Sequence, residues 1–329
     1  MPITTITTGY SGGNQVSRPG QQNGSGATDA LFLKVFGEMV MEAWEQTGIY
    51  QNFVTTRTIP YGKQATFPII GRKRDAQYHT PGELVTGGNL NSGEVVINVD
   101  GVLYDSLFVA EIDELMNHYE VQGPYARQLG ESIALKFDAY SSQLTALAAR
   151  DNTPEVTGLP VGLVLNNPNV VTDADTLVRF AFRTARHIAD NDIGGGTPRI
   201  TLRPAQYFLL VQNTKVLFKE YGGSADISKG TVTELAGMEI VQAKGNRIAN
   251  TDLSADNTIP AQYRGNFTNT VALASNPMAV GCLKVRGFKM TMDNQNDRFG
   301  TLMIASQVQG MGVLRQECAA EWSAAAGSD

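Results

Sequence analysis

The chain has 329 residues, of which 42% are apolar and 18% are charged. This length predicts two lobes, or one body with large extensions, because a single small core rarely uses so many residues. The net charge of −6 and the pI near 5.2 argue against a sequence-reading nucleic-acid binder, which would concentrate basic residues on one face. The low proportion of charged residues favours a protein that buries much of its outside against copies of itself.

The first 26 residues are polar and rich in Gly, Thr and Ser, which predicts a flexible tail without the apolar core of a signal peptide. No apolar run approaches the length needed to cross a bilayer. We therefore expect a protein that is neither exported by a signal peptide nor anchored in a membrane. Cys282 and Cys318 fit no metal-ligand spacing and are expected to be idle thiols in a reducing cytoplasm.

An N-terminal arm is predicted over residues 1–54. Thr28 can cap a helix that ends near Gly48, and the apolar residues of this helix recur at helical spacing: Leu33, Phe36, Val40 and Ala43. This helix has little of its own to pack on. We expect its apolar side, with Phe36 and Val40, to lie on the main body or on a neighbouring subunit.

Residues 55–105 predict an extended hairpin. Apolar residues alternate at Ala65, Phe67 and Ile69, and a second strand is predicted from the run Val95–Val99. A polar excursion rich in Gly, Pro and Asn separates the two strands and includes Gly87 and Gly88. Such a hairpin has too little core to be stable alone in water, so we expect it to lie on the next subunit.

A long helix is predicted within residues 106–154, because six apolar residues recur along one face: Leu129, Ile133, Phe137, Tyr140, Leu144 and Leu147. Asp138 and Ser142 occupy its other faces, and Pro154 forbids continuation.

A compact α/β lobe is predicted for residues 155–284. It contains a helix capped by Thr172 and ended by Gly194-Gly195-Gly196, a second helix that begins at Pro204, and three strands: Arg199–Leu202, Met238–Gln242 and Thr270–Ala274. Residues 285–329 alternate in the manner of returning strands, at Lys289–Asp293, Leu302–Gln309 and Val313–Cys318.

No arrangement of residues predicts catalysis, a cofactor or a metal. Gly9-Tyr10-Ser11-Gly12-Gly13 has the letters of a serine-hydrolase elbow without the strand and helix that this mechanism needs. His79, His118 and His187 show no paired spacing. The acidic residues Glu111, Asp113 and Glu114 favour a solvated face over a cation site.

Six stretches spread over nearly the whole chain closely resemble the major capsid proteins of short-tailed bacteriophages of the T-seven type: Ala30–Gly37, Phe67–Arg72, Pro81–Glu83, Met116–Tyr119, Gln128–Ser132 and Gly310–Arg315. The resemblance implies an α+β fold of the Hong Kong-97 type, with an N-arm, an E-loop, a P-domain with a long spine helix, and an A-domain. The five predicted segments then become the N-arm (1–54), the E-loop (55–105), the P-domain (106–154), the A-domain (155–284) and returning P-domain strands (285–329).

The resemblance also implies a function. Hexamers and pentamers of one protein would close into an icosahedral shell, usually of T=7 type, around the packaged double-stranded DNA of a tailed bacteriophage. A scaffolding protein would assist assembly in the bacterial cytoplasm, a portal protein would occupy one vertex, and the DNA would not be bound sequence-specifically. The predicted intersubunit contacts are Phe36, Val40, Arg72, Arg74, Glu83, Gly87 and Gly88.

Two alternatives stay open on the sequence. The first is an encapsulin-like compartment of the same fold that holds cargo enzymes. The second is a soluble α/β enzyme that uses the lobe at 155–284.

Some relatives of this fold join subunits through an isopeptide bond from an E-loop lysine. The segment from Ala76 to Val99 contains no lysine, so we expect a shell without such bonds.

Overall fold

The computed structural model describes residues 48–72, 76, 78–85, 87–112, 122–213, 225–226, 231–245 and 247–327. The predicted tail and arm helix, with Phe36 and Val40, lie outside these ranges, as does Arg74. The chain divides into two compact units. The first contains the described residues 103–112, 122–133 and 288–307, and the second contains the others. Within the described ranges, no helix combines the length and apolarity that a membrane span requires.

The elements follow one another in a mixed order. Four strands come first, β1 (Thr55–Thr58), β2 (Gln64–Ile70), β3 (Ser92–Asn98) and β4 (Gly101–Ala110), and precede helix α1 (Gln122–Arg150). Then follow β5 (Leu163–Asn166), α2 (Ala174–Asp190), β6 (Arg199–Leu202), α3 (Pro204–Val211), β7 (Ala225–Asp226), β8 (Thr231–Val232), β9 (Glu234–Leu235) and β10 (Met238–Gln242). The last strands are β11 (Thr270–Ser275), β12 (Val280–Gln295), β13 (Gly300–Val313) and β14 (Ala319–Ser323). Short 3-10 turns cover Pro168–Val171, Ala261–Tyr263 and Gln316–Cys318.

A six-stranded sheet in the order β9-β10-β6-β11-β14-β5 forms the centre of the second unit. Its strands alternate between two covered faces, as a sheet buried on both sides requires. Ile200 and Trp322 pack against Phe180 of α2 on one face. Thr201 and Glu321, the neighbours of those residues along the strands, contact Tyr50 and Arg150 on the other. The predicted strands at 199–202 and 238–242 and the helix beginning at Pro204 are confirmed.

Two expectations about this unit are wrong. Asp173 caps α2 in place of Thr172, because its carboxylate accepts from the backbone N–H groups of both Asp175 and Thr176. The strand predicted at Val313–Cys318 is instead the 3-10 turn at Gln316–Cys318 followed by β14. Because β14 lies between β11 and β5, the C-terminal strand belongs to the sheet of the lobe and not to a separate set of returning strands.

Helix α1 confirms the predicted long helix, and its C-terminal half is enclosed. The expected apolar face is buried, including Phe137 and Leu144. The face expected to be polar is buried as well: Asp138 is 0% exposed and Ser142 is 1% exposed. The Asp138 carboxylate accepts from the backbone N–H groups of Ile49 and Tyr50 and from Arg247 Nε at 2.9 Å. These donors compensate a charge that would otherwise be costly at this depth.

A second buried charge fixes the end of α1. Arg150 donates through Nε and Nη2 to the two carboxylate oxygens of Glu321, at 2.5 and 2.6 Å. Thr270 Oγ1 also donates to Glu321, which is 0% exposed. This paired geometry is the strong form of a charged hydrogen bond, and it connects the helix to β14 and β11.

The first unit contains β4 with parts of β12, β13 and α1. In the whole chain these three strands belong to a four-stranded sheet in the order β1-β12-β13-β4. Leu129 and Ile133 of α1 are buried, as their spacing predicts. The backbone N–H of Glu111 donates to Phe299 O at 2.9 Å, which continues the strand contact past the end of β4.

The predicted hairpin is confirmed as β2 paired antiparallel with β3, from Gln64 opposite Asn98 to Ile70 opposite Ser92. Its expected edges differ, because β1 pairs with β12 and β4 joins the four-stranded sheet. The base of the hairpin has support in its own chain, while the expected contact with the next subunit stays a prediction. Its apolar face is buried on the same protomer: Ala65, Phe67 and Ile97 contact Leu283 and Leu314, and Ile69 contacts Val156 and Leu159. An alternating strand buries one face wherever an apolar surface is available.

We expect Asp138→Ala to destabilise the unassembled protein by about 3–5 kcal/mol, because it leaves the buried guanidinium of Arg247 without its partner. Arg186→Ala is the matched control. It removes an exposed pair with Asp190 and should cost at most about 1 kcal/mol. Urea unfolding followed by fluorescence measures both changes. Equal losses for the two variants would contradict the role given to Asp138.

Gly71→Ala should destabilise the protein by about 1–3 kcal/mol, because an added methyl group must displace its neighbours. A Cβ at residue 71 would lie 2.6 Å from Asn91 O and 3.1 Å from Val156 Cγ1. At Gly87 a Cβ would meet nothing within 4 Å, so Gly87→Ala should change stability by less than about 0.5 kcal/mol. Thermal unfolding of both variants checks the contrast, and a neutral Gly71→Ala would refute the close approach.

Candidate assembly surface

The segment between β2 and β3 is exposed in a way that a solitary protein would not favour. We call residues 76–90 the loop tip, and every described residue in it is exposed. Tyr78 is 104% exposed, Leu84 is 89% exposed and Val85 is 75% exposed. Fully burying side chains of this kind stabilises by about 1.5–3 kcal/mol each, so a cluster of them on a surface marks an interaction site.

Three of the predicted contact residues lie in the loop tip. The backbone N–H of Glu83 donates to Thr80 O at 3.1 Å, which forms a local turn, and Gly82 in that turn has φ +99. Gly87 and Gly88 are exposed, and Gly87 has no neighbour that a Cβ would meet. The backbone here can therefore approach another surface closely. Whether these residues contact another subunit stays a prediction.

Arg72 is engaged within its own chain. Its Nη1 donates to the backbone carbonyl of Asn191, which caps the C-terminal end of α2. A cation at this end of a helix meets carbonyl groups that lack intrahelical partners and the negative end of the helix dipole. Oδ2 of Asp192 lies 3.6 Å from Nη1 of Arg72. The Asp192 side chain is 97% exposed, so this ion pair contributes little to stability.

Arg315 is a second arginine whose side chain contacts the start of the loop. No sequence pattern indicated this contact. Its Nη2 donates to Ile70 O at 3.2 Å, and its Nη1 lies 3.5 Å from Oε1 of Glu317. Burial raises the pKa of the Glu317 carboxyl, while the charges of Arg315 and Arg72 oppose that rise. Only its place at the end of the resembling stretch Gly310–Arg315 could have indicated it.

The described ranges contain two of the three histidines and both cysteines. His79 is exposed on the loop tip, whereas His187 lies in the last turn of α2, where burial lowers its pKa. Cys282 and Cys318 are free and buried, and burial raises the pKa of each thiol to about 12. Among the described residues, no group of three or more His, Cys, Asp or Glu side chains could hold a metal ion.

The sequence is similar to capsid proteins over most of its length. The profile of the family described as Gp10A-like major capsid protein matches residues 66–323. The major capsid protein of Enterobacteria phage T3 is 30% identical over 336 aligned positions, which cover 94% of this chain and 96% of that protein. The major capsid protein of Escherichia phage T7 is 27% identical over 313 positions, which cover 88% of this chain and 90% of that protein.

Solved structures give the same answer for the fold. The capsid of Cyanophage P-SCSP1u matches with a TM-score of 0.76 and 34% identity, over 85% of this chain and 89% of that one. The mature capsid of bacteriophage PhiM1 matches with a TM-score of 0.68 at 15% identity, over 84% and 86% of the two chains, and supports the fold alone. The α+β architecture of Hong Kong-97-type phage capsid proteins is therefore confirmed. The chain belongs to the Gp10A-like major capsid protein family.

Proposed function

We propose that this protein works by self-assembly, with its loop tip lying on a neighbouring copy in a closed shell. The observation that carries the proposal is the contrast within one hairpin. Its base is buried on its own protomer, whereas Tyr78, Leu84 and Val85 of its tip contact nothing that covers them. An apolar surface of this kind becomes stable when another copy buries it. Glu83 is the polar part of the same contact, and Gly87 and Gly88 are the part without side chains.

The predicted arrangement follows from family membership. Copies join as hexamers and pentamers and close into an icosahedral shell, with the lobe containing the six-stranded sheet towards the axis of each capsomer. The arm residues Phe36 and Val40 add a second contact between copies. Closed point-group assemblies multiply weak contacts, since each subunit is held by several neighbours at once.

We propose that the shell encloses double-stranded DNA without sequence-specific binding, that a scaffolding protein assists assembly in the bacterial cytoplasm, and that a portal protein occupies one vertex. The net charge of −6 supports enclosure without tight binding, because tight binding needs concentrated basic residues. Membership of a capsid protein family supports a structural role without enzymatic activity. Finding cargo enzymes in place of DNA inside native particles would favour the compartment alternative.

Leu84→Asp/Val85→Asp should abolish shell formation, because two charges would enter an apolar contact at a cost of several kcal/mol. The fold of the unassembled protein should be unchanged, since both side chains are exposed in the protomer. Light scattering and electron microscopy of the purified variant measure assembly, and thermal unfolding measures the fold.

The matched control is Thr80→Asp/Asn89→Asp, which adds two charges to the loop tip without removing an apolar side chain. This control should retain most of its assembly. A normal yield of shells from Leu84→Asp/Val85→Asp would show that the loop tip is not the contact. Failure of both variants would show that added charge alone blocks assembly, which would contradict the apolar nature of the interface.

Particles boiled in detergent under reducing conditions should run as a single band near 35.4 kDa. The loop segment Ala76–Val99 contains no lysine that could form an isopeptide bond, and the two thiols are free and buried. Cohesion then comes from buried area and many weak contacts. A ladder of covalent oligomers in the gel would sink this prediction.

A further inference from the structure

The base of the hairpin is held from several sides by its own protomer. We define the hairpin base as residues 70–72 on the outgoing arm and residues 91–93 on the returning arm. The backbone N–H of Gly71 donates to Asn91 O at 2.8 Å, which joins the two arms below the loop tip. A Cβ at Gly93 would lie 3.0 Å from Val156 Cγ2, so the returning arm touches the segment after α1 directly.

The outgoing arm is fixed by two arginines from opposite directions along the chain. Arg72 belongs to the outgoing arm, and its side chain donates to the backbone carbonyl of Asn191 at the end of α2. Arg315 comes from the segment after β13 and donates to the carbonyl of Ile70. Their side chains are 23% and 22% exposed, and the hydrogen bond from Arg72 is partly buried, whereas the bond from Arg315 to Ile70 O lies at the surface. Both bonds have a charged donor, which makes them stronger than hydrogen bonds between neutral groups.

Glu317 connects these two arginines electrostatically. It is 3% exposed and lies in the 3-10 turn that precedes β14. Its carboxylate pairs with Arg315, and the charge of Arg72 also favours its ionised form. The ion pair with Arg315 helps to hold that arginine in place, because its removal would leave the buried carboxylate less compensated.

The returning arm has weaker support. Asn91 Nδ2 donates to Thr157 O at 3.4 Å, and Ile69 of the opposite strand packs against Val156 and Leu159. The direction of the loop tip is therefore set by α2, by the segment at 315–317 and by the segment at 155–159, all within one unit of one protomer.

We infer that Arg72 and Arg315 are positioning residues for assembly, which clamp the hairpin base and orient the loop tip before a second copy binds. This inference rests on the proposed contact of the loop tip with a neighbouring copy, and it gives Arg72 a role different from the intersubunit contact expected from the sequence. A loop oriented in advance loses less conformational freedom on docking, so contact forms faster and is more stable.

The inference is tested by measuring the position of the loop in the unassembled protein. Cysteines introduced at Asn89 in the loop tip and at Ala189 near the end of α2 carry spin labels, and the native cysteines are buried. Pulsed electron resonance gives the distribution of distances between the labels. We compare the parent, Arg72→Ala, Arg315→Ala, the double variant, and Arg186→Ala as the control, which removes an exposed arginine of the same helix.

The parent and Arg186→Ala should give one narrow distribution, and the clamp variants a broad one. The rate of shell formation should fall about tenfold in the double variant, because each docking event must then order the loop. Arg72→Lys, which keeps the charge and loses the planar donor, should be intermediate. If the double variant does not fold, the two single variants decide by the same readouts.

A narrow distribution in the clamp variants would overturn the inference, and so would a broad one in the parent. A broad distribution combined with normal assembly would also overturn it, because orientation would then not matter. If the parent formed no shells, the proposed function would fail, while the distance measurement would still decide whether the arginines fix the loop.

Discussion

The buried carboxylate of Asp138 is the constraint on which most of the second unit depends. It sits on the enclosed C-terminal half of α1 and is 0% exposed, so its charge has to be compensated within the protein. The donors that compensate it come from residues 49–50 and from Arg247, nearly 200 positions apart in sequence. Because the charge must be satisfied, the segment that leads into the hairpin and the loop after β10 are held against the same turn of α1.

The same helix ends on a second such site. Arg150 and Glu321 join α1 to the strand β14 on the inner face of the sheet, and Trp322 on the opposite face donates to Thr184 of α2 at 3.0 Å. Layers on both faces are thus fixed by polar contacts as well as by apolar packing. Polar groups at these depths specify one arrangement of the layers, since any other leaves them without partners. These contacts fix α1, the six-stranded sheet and α2 relative to one another, and the hairpin packs on this body.

The proposed function depends on the loop tip, which the body of the protomer does not cover. The apolar face of β2 and β3 is buried on Leu283, Leu314 and Val156, whereas the described residues of the chain do not cover the loop tip beyond Arg72. The tip is left with exposed Tyr78, Leu84 and Val85. Such a protomer has a packed core but leaves apolar side chains uncovered at its surface. This arrangement suits a protein whose activity is association with its own copies.

Much of the fold could be predicted from periodicity. The alternation of Ala65, Phe67 and Ile69 and the spacing of Leu129, Ile133 and Phe137 indicate the correct elements and the correct buried faces. The burial of Asp138 could not be predicted, because helical periodicity assumes that the polar face of a helix contacts solvent. Segments distant in sequence cover that face of α1 around Asp138. The position of β14 between β11 and β5 could not be predicted, because strand partners are decided by tertiary contacts. The cap at Asp173 is a local contact, and Thr172 does not make it because Thr172 ends the preceding 3-10 turn.

The candidate site was predicted in part. Glu83, Gly87 and Gly88 were placed correctly on an exposed tip, because Gly- and Pro-rich excursions between strands are surface loops. Arg72 meets the end of α2 of its own chain, which the sequence did not indicate, and its intersubunit contact stays a prediction. Its partner Arg315 comes from more than 200 residues away, and no local pattern in the sequence indicates that encounter.

The most direct test of this account is the structure of an assembled particle, determined by electron cryomicroscopy on shells formed from the purified protein. The account predicts that each protomer keeps the body described above and that Tyr78, Leu84 and Val85 are buried against a neighbouring copy. Shells in which these three side chains remain exposed to solvent, or in which the hairpin folds back on its own protomer, would contradict it.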